Sequence, residues 1–170
     1  MVDSKIGGVL FSCRSLVVGS IFAIICCTVI SISGSPYETL HNLNANGILP
    51  PVWIFKLFLT LWAFLLGAAS GAVSLAVSKK RDGIRGELAA CKGGIFLVSS
   101  FALSLAFYPL FFACERLFLA FLVSLEAAMM SVFCGVVWRK SFGFSALILW
   151  GNAFWQVYVA FVSINVLIVN

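Results

Sequence analysis

The chain has 170 residues, 62% of them hydrophobic and 10% charged, with a mean hydropathy of +1.12. A soluble domain carries about 25% charged residues, so this composition excludes a water-soluble globule and predicts an all-α integral membrane protein. The net charge of +5 sits in short basic clusters between apolar runs, which is a signal for orienting spans, and no nucleic-acid partner is expected.

Met1 to Lys5 is a short polar start, and the first predicted span covers about residues 10–33, strongest from Leu16 to Ile32. Arg14, an apolar run and the small residues that follow also fit a signal peptide. The run is longer than the usual stretch of about 7–15 residues, which favours a retained helix. Residues 34–50 are the longest polar connection, read as a structured loop rich in Pro, Gly, Asn and Ser. It holds His41, the only histidine; lacking partner ligands, His41 reads as a solvated loop residue, and no metal site is expected.

The second span, 51–78, opens with Pro50, Pro51 and Trp53. Proline suits the first helical turn, where its missing N–H costs nothing, and tryptophan suits the headgroup level. Lys56 lies close enough to that end to snorkel. Gly67 and Gly71 form a G-x-x-x-G pair, predicted as a helix-packing surface because it lets a second backbone approach closely. Residues 79–92, KKRDGIRGELAACK, form a charged loop with five of the eleven basic residues. Spans three, four and five cover about residues 93–112, 117–138 and 144–169. At roughly 20 residues per span, five helices use nearly the whole chain as a single membrane domain. With the N-terminus inside, nine basic residues fall on the inner side and only Lys56 and Arg116 on the outer.

Within the spans, Glu126 stands near the middle of the fourth, where an acid costs about 2.5–3.5 kcal/mol on insertion scales. It is expected to face the bundle, as a ligand contact, a proton site or a hydrogen-bonded structural acid. Span five carries Ser145, Asn152, Gln156 and Ser163 on one face beside Trp155; span three carries Ser100, Ser104 and Tyr108. Such stripes read first as interhelical hydrogen bonds, worth about 0.6 kcal/mol each, and second as the wall of a cavity for an amphipathic ligand. The 17 phenylalanines serve packing and lipid contact, or a stacking platform if several helices bring them together. The six cysteines are scattered without a C-x-x-C and read as small hydrophobes. No nucleotide, zinc-hydrolase or nucleophile-elbow motif is present; neither an enzyme nor a cofactor is expected.

Taken together, Tyr37 and Leu40 in the first loop, Pro50-Pro51 and Trp53 at its end, Gly67, Ala102-Leu103-Ser104, Pro109 to Phe112, Trp138, Trp155 and Tyr158 resemble the TspO/MBR family. That family comprises tryptophan-rich sensory proteins and the mitochondrial translocator protein, or peripheral benzodiazepine receptor. The resemblance covers about residues 36–170, nearly without gaps after Pro50. Leu59 falls where the family has a pocket tryptophan, Ser104 where it has an asparagine, and the terminal cholesterol-recognition pattern is absent. The resemblance implies a five-helix bundle with a pocket for porphyrins, cholesterol or synthetic drugs. Carried over, that ligand-binding pocket uses Trp53, Leu59, Ser104, Phe107, Glu126, Trp155 and Val159, with Trp53 as a lid. It also implies a porphyrin or sterol partner within the lipid bilayer, a homodimer, and the mitochondrial outer membrane ahead of the endoplasmic reticulum. Two other expectations compete: a scaffold associating through Gly67 and Gly71, and a small proton-coupled transporter working through Glu126.

Overall fold

The computed structural model describes residues 13–33, 52–78 and 83–169. Among these are five helices: α1 Cys13–Ile32, α2 Val52–Ser78, α3 Gly83–Phe112, α4 Leu117–Trp138 and α5 Gly143–Val169. Each is long and apolar enough to cross a membrane, and no strand occurs among the described residues. The protein is an all-α, multi-pass membrane bundle. His41 and the whole predicted loop 34–50 lie outside the described residues, as do Lys79 to Asp82.

Helix α3 begins at Gly83, ten residues before the start that hydropathy suggests. Hydropathy marks where lipid begins, whereas Glu87, Leu88, Ala89 and Ala90 are good helix formers whatever surrounds them. The segment 83–92 is therefore the polar end of a long helix, and only residues 79–82 lie between α2 and α3.

Small residues decide which helices pair. A Cβ on Gly67 would stand 2.8 Å from the Gly19 Cα, and one on Gly71 would stand 2.8 Å from the Ser15 Cα. The G-x-x-x-G pair of α2 is thus filled by α1 of the same chain, in an antiparallel hairpin. This corrects the expectation of a scaffold built on these glycines: no second chain can use a surface that α1 already covers.

On the other side, α4 lies between α3 and α5 and packs broadly on both. Its buried face is Ala120, Ser124, Ala127, Ala128, Ser131, Cys134 and Gly135, small enough for close approach. Trp138 closes the C-terminal end of α4, donating from Nε1 to the Ala89 carbonyl at 3.1 Å. The Cys134 thiol donates to the Gly93 carbonyl at 3.0 Å.

The hairpin α1–α2 and the three-helix unit α3–α4–α5 meet along a narrower seam, where α2 touches α3 and α5 and α1 touches α3. Ser145 reaches the Ala69 carbonyl across it at 3.5 Å, and the Phe22 and Phe101 rings lie 4.4 Å apart.

Candidate ligand site

The seam carries two adjoining cavities, both walled by Leu59 of α2 and Gln156 of α5. The outer one, toward the α3–α4 turn, adds Phe55, Phe107, Tyr108, Trp155 and Val159. The inner one adds Cys26 of α1, Trp62, Ala63 and Leu66 of α2, Phe101, Ser104 and Leu105 of α3, and Asn152 of α5. Each is about 10 Å³, room for one water at most.

Aromatic rings from three helices converge at the outer cavity. Trp155 stacks on Phe58 at 4.9 Å and 16°, meets Phe55 edge-on at 5.9 Å and lies 5.5 Å from Tyr158. Phe107 sits 5.3 Å from Phe111. Offset and edge-to-face pairs of this kind are each worth about 0.5–1.5 kcal/mol beyond buried area. This is the convergence that helical spacing alone could not show.

The polar stripes of α3 and α5 face each other through the bundle. Gln156 Nε2 donates to Ser104 Oγ at 2.7 Å, and Ser104 Oγ donates to the Ser100 carbonyl at 2.7 Å. Asn152 Nδ2 donates to Ser131 Oγ at 2.8 Å, and Ser131 and Ser100 share a hydrogen bond at 2.7 Å. All five side chains are buried. Where water is excluded, such groups must be paired within the protein, and one edge of this network borders both cavities.

A larger concavity, about 750 Å³, lies outside the seam between α1 and α2, walled by Ala23, Trp53, Lys56, Leu57, Thr60, Leu61 and Phe64. It is an open groove on the outer face of the hairpin. The seam is the stronger candidate for a ligand site because buried polar and aromatic groups converge there.

The chain matches the TspO/MBR family over residues 16–169. It belongs to that family. Comparison with curated proteins and with solved structures gave no match.

For this TspO/MBR chain the structure sorts the seven carried-over positions into two groups. Leu59, Ser104, Phe107, Trp155 and Val159 line the seam cavities. Trp53 and Glu126 do not. Trp53 is 62% exposed and walls the outer groove. Glu126 is exposed on α4, which corrects the expectation that it faces the bundle. The inward phase of α4 is fixed by its small residues, and Glu126 is next to buried Ala127, about 100° around the helix. Insertion cost shows that an acid in a span is unusual; it does not give its direction. Phe55, Trp62 and Phe101 were missed, since an aromatic residue in an apolar span carries no signal of the way it points.

Proposed function

We propose that this TspO/MBR protein binds a flat hydrophobic ligand, a tetrapyrrole or a sterol, in the seam between α2 and the α3–α5 face, and sequesters or moves it there. The observation that carries this reading is the meeting of Phe107, Trp155 and Leu59 with the buried Ser104–Gln156 pair at one place. The rings supply faces for a planar ligand and the polar pair orients it. The closed cavities are far smaller than such a ligand, so binding requires the hairpin to part from the three-helix unit. The narrow seam and the broad packing within each unit favour that motion over any other. Family membership supports the mitochondrial outer membrane as the bilayer concerned.

Titration of the detergent-solubilised protein with protoporphyrin IX tests this. Saturable quenching of tryptophan fluorescence is expected, with affinity about tenfold lower in Trp155→Ala, given the area and ring contacts removed. Equal affinity in the variant removes Trp155 from the site; quenching that never saturates removes the site.

A further inference from the structure

Among the described residues, two buried side-chain polar atoms lack a hydrogen-bond partner: Trp62 Nε1 and Tyr108 Oη. One borders each seam cavity, Trp62 the inner and Tyr108 the outer. Tyr108 is 1% exposed. A buried donor left unpaired costs about 1–3 kcal/mol, a cost that phenylalanine at both positions would avoid. Three polar side chains of the cavity walls bond elsewhere: Ser104 to Ser100 and Gln156, and Asn152 to Ser131. Gly151 of α5 makes the room in which the Trp62 ring lies: a Cβ there would stand 2.6 Å from its Cη2.

The two donors are also close in depth. The Phe55 and Phe112 rings meet at one level, 6.1 Å apart. From there to Trp62 and to Tyr108 the two helices descend roughly 10 and 6 Å, at about 1.5 Å per residue. No lysine, arginine or histidine lines either cavity. An ionised carboxylate in the seam would therefore be buried without a counter-charge, which is costly, so a porphyrin acid such as protoporphyrin IX would bind there with its carboxyl groups protonated. The indole N–H only donates, and the phenol can donate.

We propose that Trp62 and Tyr108 are the polar anchors of the seam ligand, each donating to a neutral oxygen acceptor on one edge of a flat hydrophobe. The ligand class is then a planar apolar ring system with two ester, ketone, amide or un-ionised acid groups. This rests on the binding reading above and adds the chemistry of selection.

Two porphyrins with the same ring test it: protoporphyrin IX dimethyl ester, which carries two ester acceptors, and etioporphyrin, whose substituents are all alkyl. Affinities are measured on the purified full chain and on Trp62→Phe, Tyr108→Phe and the double variant. The parent should prefer the dimethyl ester by at least about tenfold. Each single variant should lose about tenfold for the ester and nothing for etioporphyrin, and the double variant should lose the preference. Unchanged etioporphyrin binding also shows that the variants are folded. Equal losses for both porphyrins, or no loss for the ester, overturn the anchor assignment while leaving the seam as a binding site. A parent that binds neither porphyrin overturns the binding reading and the anchors with it.

Discussion

A Cβ on Gly93 would fall within the Trp138 indole, whereas one on Gly94 would meet nothing within 4 Å. Trp138 is 1% exposed and tied to Ala89, so it has nowhere to move. Gly93→Ala should lower stability by about 1–3 kcal/mol through overpacking. Gly94→Ala should leave it unchanged or raise it by up to about 1 kcal/mol through helix propensity. Thermal unfolding of the two variants in detergent separates them. Glu126 makes the complementary case. Because it sits on the outer face of α4, Glu126→Leu should leave protoporphyrin affinity within about twofold, in the titration described above. A tenfold loss would return the acid to the pocket. At this scale the sequence was partly legible. The stripe Ser100, Ser104, Asn152 and Gln156 could be placed on facing sides because polar residues in a span rarely face lipid. Glu126 is an exception to that rule. The small-residue phase of Ala120, Ser124, Ala127 and Ser131 was the signal that could have oriented it.

At the scale of helices, α1 and α2 form a hairpin because Ser15 and Gly19 meet Gly71 and Gly67 with almost no side chain between them. Polar side chains on the exposed face of α1 bond back to its own carbonyls, Ser20 to Leu16, Thr28 to Ile24 and Ser31 to Cys27, at 2.8–2.9 Å. They sit in lipid without needing a partner. Gly67→Leu should therefore split the hairpin and lower the unfolding temperature, with the native mass on light scattering unchanged from the parent. A stable fold with a lost oligomer would instead assign the glycine to an interface between chains. The α3–α4 turn is closed by bonds from the Cys114 N–H to the Pro109 carbonyl and from the Arg116 N–H to the Leu110 carbonyl, both 2.9 Å. Within it Glu115 has a φ of 51°, a left-handed conformation that costs non-glycine residues about 1–2 kcal/mol. Glu115→Gly should stabilise the protein by about 0.5–1 kcal/mol, after the added freedom of the unfolded chain is subtracted. Chemical unfolding in mixed micelles measures it. All five helices were legible as apolar runs between polar connections. The start of α3 was not, because charge hides a helix from a hydropathy scale without unwinding it. Gly67 and Gly71 were legible as a close-packing surface, but such a surface does not name its partner.

For the whole molecule, the organising feature is the seam between a hairpin and a three-helix unit. Each unit is held by broad contacts between small-residue faces, while the seam holds the aromatic rings, the small cavities and the unpaired donors. Packing so uneven makes the seam the place where the bundle can part, and no feature of a linear sequence reveals the relative breadth of helix contacts. Electron-spin distances test this most directly. Labels are placed at Ile24 of α1 and Val136 of α4, both exposed, with a control pair at Val136 and Phe161 of α5. Serine replaces the exposed Cys13, Cys27, Cys91 and Cys114. Saturating protoporphyrin IX should lengthen the α1–α4 distance by about one ring thickness, roughly 3.5 Å, and leave the α4–α5 distance unchanged. Bound porphyrin with both distances fixed, or with the α4–α5 distance lengthened, would contradict a ligand site in the seam.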